Sequence, residues 1–178
     1  MNKIVLVGMP GSGKTEIISK LKKDFKTLVV DEYVNEIYKK NGIAYKKIVE
    51  QFGKEVSNNQ GIDKIKLSKL VLNNKNNLEI LNSIVHPLIQ DEISKDYQIV
   101  ELPIINSKYI NYKFDKYIKL TDSREVCKSR LIEKRNIDHT KVDLILDLYT
   151  EPLGFVYDLE IESDKLLNDI NLIKKIIK

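Results

Sequence analysis

Apolar residues change their spacing several times along this chain, and each change marks an element. Ile4-Val5-Leu6-Val7 is a short continuous apolar run ending at Gly8, the pattern of a strand buried on both faces. Ile17, Ile18 and Leu21 then recur at helical spacing, with lysines opposite them. Thr27-Leu28-Val29-Val30 is a second β-rich run, closed by Asp31. From there to about residue 97 the pattern is helical almost throughout. It predicts segments near 32–41, 44–55, 63–73 and 76–96, set apart by Gly42, Gly53 and Gly61. Pro87 lies inside the last of these and predicts a kink or a break into two helices. Strand-like runs return at 98–102 and 116–120, around a polar loop of about 103–114. A helix is expected over roughly 123–135, a further one from Asp138, and a last β-like stretch at 158–161. The chain closes on a helix capped by Ser163, with Leu166, Leu167, Ile170, Ile173 and Ile177 at helical spacing. Strands alternating with helices predict an α/β fold: a central five-stranded parallel sheet flanked by helices, in one domain over 1–178.

Composition narrows the class. With 178 residues, 42% hydrophobic and 31% charged, the chain is long enough for one ordinary soluble domain without disulfide or metal staples. No apolar run reaches the roughly 18–20 residues of a membrane span, and the amino terminus reads as a strand rather than a secretion signal. One cysteine, Cys127, excludes an internal disulfide, so a reducing cytoplasm is expected, with Cys127 packed as a small apolar residue. The formal charge is +4, yet 27 of the 30 basic residues are lysine. A scattered lysine surplus reads as a solvated surface, so neither a nucleic-acid partner nor a membrane is expected. The three arginines are another matter: Arg124, Arg130 and Arg135 fall within twelve residues. Guanidinium forks grip phosphate bidentately, whereas lysine acts as a point charge.

The chemistry sits first in Gly8-Met9-Pro10-Gly11-Ser12-Gly13-Lys14-Thr15, which fits G-x-x-x-x-G-K-[ST] at every fixed position. It follows a predicted strand and opens a predicted amphipathic helix, as a phosphate-binding loop requires. Gly8, Gly11, Ser12, Gly13, Lys14, Thr15 and Glu16 are therefore the expected contacts of a nucleoside triphosphate, and Thr15 an expected Mg²⁺ ligand. Thr121-Asp122-Ser123 does not match the base-reading element of guanine-specific proteins. A small-molecule kinase needs a carboxylate at the acceptor hydroxyl, an acceptor pocket and a cationic lid. Asp31, the helical insert of about 32–97 and the arginine-bearing segment of about 122–140 are the candidates for these. Glu101 reads either as a carboxylate orienting Mg²⁺-bound water or as a strand-edge surface group. His86 reads as a packed helix residue more readily than as a catalytic one, and His139 as exposed. Tyr109 and Tyr112 belong to the polar loop, where solvation is the simpler reading.

Several blocks together resemble the dephospho-CoA kinase family. These are the loop at 8–15, Val30-Asp31-Glu32, Phe52-Gly53, Gly61-Ile62-Asp63-Lys64, Leu81-x-x-Ile84-Val85-His86-Pro87-Leu88, Val100-Glu101-Leu102-Pro103, and Arg130 through Asn136. They run in family order from residue 3 to about 137, and the His-Pro block is the most specific. The resemblance implies a P-loop kinase that uses ATP and Mg²⁺ to phosphorylate the ribose 3′-hydroxyl of dephospho-CoA, in the last step of coenzyme A biosynthesis. It implies Lys14, Asp31, Arg130 and Arg135 as catalytic residues, and Asp31, Glu32, Tyr33, Lys64, His86 and Pro103 on the substrate side. Thr15 and Glu101 would serve the metal, and a monomer is expected. The chain also departs from the pattern. Tyr33 stands where the family has a second Asp, so either Asp31 or Glu32 takes the base role, or a base contributes little. Asn106 and Ser107 replace an acidic residue. The lid arginines are five apart rather than four, which leaves Lys134 or Arg135 as the second cation, Arg135 being favoured. Another small-molecule kinase, or a non-catalytic ATP-binding module, is the alternative.

Overall fold

Ile4–Gly8 (β1) is buried at all five positions, which explains an apolar run without alternation: helices cover both of its faces. In the computed structural model of the protein it is the middle strand of a five-stranded sheet. The others are Thr27–Val29 (β2), Ile99–Glu101 (β3), Lys116–Leu120 (β4) and Leu159–Ile161 (β5). The order is β2-β3-β1-β4-β5 and every pairing is parallel, as the alternating pattern predicts. The helices are Lys14–Leu21 (α1), Val30–Tyr38 (α2), Tyr45–Phe52 (α3), Lys64–Leu72 (α4), Lys75–Ile93 (α5), Arg124–Arg135 (α6), His139–Asp147 (α7), Ser163–Asn168 (α8) and Asn171–Ile177 (α9). The residues described are 2–72, 74–103, 112–135, 138–147, 149 and 156–177.

The chain divides into two compact units. The first comprises Met1–Val29, Asp96–Asn106 and Lys113–Lys178, and holds the whole sheet. Ile4, Leu6, Ile17, Ile18, Leu21, Ile99, Ile118, Leu120, Leu166 and Ile173 form its main buried cluster. A second cluster, Cys127, Leu131, Val142 and Leu146, ties α6 to α7 and takes Met9 against it. Because β1 has β3 on one side and β4 on the other, while β2 lies beyond β3, the connection leaving β1 runs to one side of it and the connection leaving β3 crosses to the other, which makes a switch point beside the carboxyl end of β1. Open parallel sheets bind ligands at that switch point.

The second unit comprises Val30–Lys95 and Ser107–Tyr112. It contains α2 to α5 and a short 3₁₀ turn at Lys54–Val56. Three local expectations change here or at the carboxyl terminus. β2 ends at Val29 and α2 begins at Val30, so Asp31 lies in the first turn of a helix rather than at a strand end. α5 continues through Pro87 as one helix. Proline removes one backbone donor and costs about 3 kcal/mol in a helix interior, but Val85, Ile89 and Ile93 are buried along the same helix and offset it. The terminal helix is two helices, α8 and α9, separated by Asp169 at φ −125° and ψ 65°. Ser163 is the first residue of α8, behind Glu162 as N-cap.

Candidate active site

The loop from Gly8 to Thr15 turns directly out of β1 and into α1. Gly11 and Gly13 have φ of +85° and +83°, a region that side chains with a Cβ avoid. A Cβ on Gly11 would also lie 2.4 Å from the Cys127 carbonyl oxygen of α6. These glycines are thus required by backbone conformation and by close approach together. Ser12 Oγ is fully buried with no hydrogen-bond partner, and a Cβ on Gly8 would come within 2.8 Å of it. Thr15 and Glu16 are exposed in the first turn of α1.

Lys14 runs back along the loop. Its Nζ donates to the carbonyl oxygens of Gly8 at 2.8 Å and Met9 at 3.1 Å, and lies 3.8 Å from Glu101 Oε1. The two side chains are 9% and 4% exposed, so this is an interior ion pair. Register explains it: Glu101 is the partner of Leu6, two residues before the loop begins. Glu101 is therefore not a strand-edge surface group.

The arginine cluster separates into different roles. Arg124 reaches α7 through Asp147 at 2.6 Å. Arg130 Nη1 donates to Asp122 Oδ1 at 2.9 Å and Ser163 Oγ at 2.9 Å, while Nη2 donates to Asp164 Oδ1 at 3.0 Å. Asp122 also accepts from the Ser163 backbone N–H at 3.0 Å and from its hydroxyl at 2.7 Å. This knot borders the phosphate loop, since a Cβ on Gly13 would stand 3.1 Å from Ser163 Cβ and 3.6 Å from Arg130 Nη1. Arg135 ends α6; its side chain, like that of Lys134, lies outside the described residues, as do Asn106, Ser107, Tyr109 and Asn136.

Asp122, Ser163 and Asp164 were not singled out by sequence as site residues. A usable signal existed: an aspartate at the carboxyl end of β4, with an arginine two helical turns further along α6. Truncating Asp122 to Ala is expected to cost about 2–3 kcal/mol, because Asp122 is only 5% exposed and its loss strips hydrogen bonds from Ser163 and from the Arg130 guanidinium, itself 18% exposed. A urea-denaturation midpoint unchanged by that substitution would show the knot to be energetically idle.

On the second unit, Asp31 and Glu32 are both exposed in the first turn of α2, where negative charge suits the helix dipole. Tyr33 turns elsewhere: its hydroxyl donates to the Leu88 carbonyl oxygen of α5 at 3.3 Å, and burial followed by nearby Glu92 raises its pKa. His86 is half-buried in α5, and burial lowers its pKa, which keeps the ring neutral near pH 7. Lys64 opens α4, with its ammonium on Asn35 Oδ1. Pro103 follows β3 by two residues on the first unit.

Comparison with known proteins bears on the family and the fold. Residues 3–149 match the family profile described as dephospho-CoA kinase. A dephospho-CoA kinase of Mycoplasma genitalium is 31% identical over 160 residues, covering 84% of this chain and 78% of that protein. A crystal structure from Thermus thermophilus matches with a TM-score of 0.76 at 18% identity, over 99% of this chain and 96% of that one. The dephospho-CoA kinase of Campylobacter jejuni matches with a TM-score of 0.57 at 20% identity, over 98% and 97%. At those identities the two solved structures speak to the fold.

Proposed function

The chain belongs to the dephospho-CoA kinase family, and on that premise we propose that it transfers the γ-phosphoryl group of ATP to the ribose 3′-hydroxyl of dephospho-CoA. One observation carries the reading: the Gly8–Thr15 loop, with Lys14 anchored in it, sits at the switch point of the sheet in a chain that matches the family over residues 3–149. The loop amides and Lys14 bind the phosphates, and Lys14 neutralises charge as the β,γ bridge breaks. The acceptor oxygen forms the new bond to the γ-phosphorus, ADP leaves, and the hydroxyl proton passes to a carboxylate. Asp31 is the assigned acceptor of that proton, with Glu32 the alternative, because Tyr33 spends its hydroxyl on α5. Arg130 stands beside Gly13 with its guanidinium held by Asp122 and Asp164, so its charge reaches the phosphates when they draw it from those carboxylates, and Arg135 is assigned the lid position.

Hard oxygen donors at this site suit magnesium. The exposed Thr15 hydroxyl and the Glu101 carboxylate would hold it, Glu101 through water, and the ion would neutralise charge on the β- and γ-phosphate oxygens. Among the described residues no three His, Cys, Asp or Glu side chains converge into a metal site, so the remaining ligands would come from phosphate and water. We keep the monomer and the cytoplasm as expectations of the sequence; among the described residues no helix is long and apolar enough to cross a membrane.

A coupled assay of ADP release tests the reading. Release should depend on dephospho-CoA, and Asp31→Asn should lower kcat by about 10²–10⁴-fold while the KM for ATP stays close to wild type. Turnover without that acceptor dependence overturns the function. Undiminished turnover in Asp31→Asn moves the base role away from Asp31.

A further inference from the structure

β4 and β5 are paired with Leu120 opposite Ile161, and beyond that pair the Thr121 N–H donates to the Ile161 carbonyl oxygen at 3.0 Å. Asp122 and Ser163 each follow the paired residues by two, so the sheet itself delivers them to one place. Ser163 is fully buried there and uses its hydroxyl in both capacities. It donates to Asp122 Oδ1 at 2.7 Å and accepts from Arg130 Nη1 at 2.9 Å. Nη1 also donates to Asp122 Oδ1 at 2.9 Å, which closes a ring of three hydrogen bonds. The Ser163 backbone N–H holds the other Asp122 oxygen at 3.0 Å. Ser163 lies beyond residues 3–149, the span that matches the family profile, so that match assigns it no part in the site.

The two prongs of Arg130 are held unequally. Nη1 is fixed by a carboxylate that is 5% exposed and by the buried Ser163 hydroxyl. Nη2 has Asp164 as its only partner among the described residues, at 3.0 Å, and that carboxylate is 76% exposed. Interior contacts to a charge are costly to break, whereas an exposed ion pair is weak and screened by water. Nη1 already stands 3.6 Å from where a Cβ on Gly13 would lie, at the edge of the phosphate loop. A phosphate group accepts from the same guanidinium fork as a carboxylate does. An arriving phosphate therefore meets one prong that is anchored and one whose partner it can displace.

We propose that Ser163 is a positioning residue of the nucleotide site: it holds Arg130 Nη1 on Asp122, so that Nη2 exchanges Asp164 for a phosphate oxygen while the guanidinium stays at the loop. Asp164 is the placeholder in that exchange. Without the Ser163 hydroxyl the fork is free to turn onto Asp164, which then competes with the nucleotide for both prongs. The inference rests on the function proposed above only in requiring that the phosphate loop bind a nucleotide. Calorimetric titration of the full chain with ADP and with a non-hydrolysable ATP analogue tests it. The proteins are wild type, Ser163→Ala, Asp164→Asn, Arg130→Met and the Ser163→Ala, Arg130→Met double variant, each well below its urea midpoint. Loss of the hydroxyl should weaken both nucleotides about three- to tenfold. In the Arg130→Met background the same loss should change affinity less than about twofold, since the group it acts through is gone. Asp164→Asn should tighten both nucleotides about two- to fivefold at low salt, a gain that shrinks at high salt. In turnover, Ser163→Ala should raise the KM for ATP about three- to tenfold and leave the KM for dephospho-CoA within about twofold. Equal losses in the two arginine backgrounds would make Ser163 merely structural and overturn the proposal, as would an unchanged affinity in Ser163→Ala. Asp164→Asn alters an exposed side chain and so gives a reading even if Ser163→Ala fails to fold; affinity that does not rise in it overturns the exchange. A wild type that binds neither nucleotide overturns the functional reading along with the proposal, whereas wild-type binding indifferent to Ser163 overturns the proposal alone.

Discussion

Replacing Lys14 with Met should lower kcat by at least about 10²-fold, the cost of deleting one preorganised charge from a phosphoryl-transfer site. Met keeps most of the apolar stem, so the loss falls on the ammonium rather than on packing. The ammonium has two duties in this fold. It ties the loop to itself through the Gly8 and Met9 carbonyls, and it faces Glu101 in the interior of the sheet. The substitution therefore carries a stability cost on the order of 1–3 kcal/mol, for the polar groups left behind. Urea denaturation measures that cost, and assays run well below the midpoint of the variant separate it from catalysis. ATP should also lose most of its stabilising effect on the melting temperature of the variant, since binding to the native state is what raises it. A folded Lys14→Met protein with kcat within about tenfold of wild type would remove Lys14 from the transition state.

What the sequence discloses follows the range of the interactions involved. The phosphate loop is legible because its requirements are local: a strand, glycines able to take φ near +85°, and a helix start. The central strand is legible because burial on both faces of β1 leaves a continuous apolar run, whereas β2, β4 and β5 are only partly buried and mix polar with apolar residues, so β-branched and aromatic content marks them instead. Asp122 was passed over because its partners are Arg130, eight residues on, and Ser163, forty-one residues on. Only the parallel pairing of β4 with β5 brings those segments together. Glu101 stayed ambiguous for the same reason: its burial depends on β1 and β2 lying on either side of it. The continuity of α5 through Pro87 shows the converse. A local penalty reads strongly in sequence, and the tertiary burial of Val85, Ile89 and Ile93 that overrides it does not. Tyr33 is a third kind of case. Its position in the motif suggested a place at the acceptor, but on a helix that opens at Val30 its hydroxyl goes to the Leu88 carbonyl.

Gly11→Ala and Gly13→Ala form a pair whose difference isolates one physical effect. The two glycines have nearly the same φ, +85° and +83°, so the strain of placing a Cβ in the left-handed region is common to both, at about 1–2 kcal/mol. Their surroundings differ. At Gly13 the new Cβ meets Ser163 Cβ at 3.1 Å, a contact that a shift of a few tenths of an ångström relieves. At Gly11 it meets the backbone oxygen of Cys127 at 2.4 Å and Leu131 Cγ at 3.0 Å. That backbone belongs to α6, which is held by a fully packed cluster of Cys127, Leu131, Val142 and Leu146, so the loop or the helix has to move as a body. Burial has also pushed the Cys127 thiol up to about 11, as expected of a side chain packed among apolar neighbours. Overpacking of this kind adds about 1–3 kcal/mol, which brings Gly11→Ala to about 2–5 kcal/mol against about 1–2 for Gly13→Ala. Urea denaturation of both variants reads the difference directly. Equal losses would mean that backbone strain alone fixes these glycines and that α6 yields freely to the loop. The larger loss at Gly11 would mean that α6, which carries Arg130, is seated against the phosphate loop by contact and keeps that arginine beside Gly13.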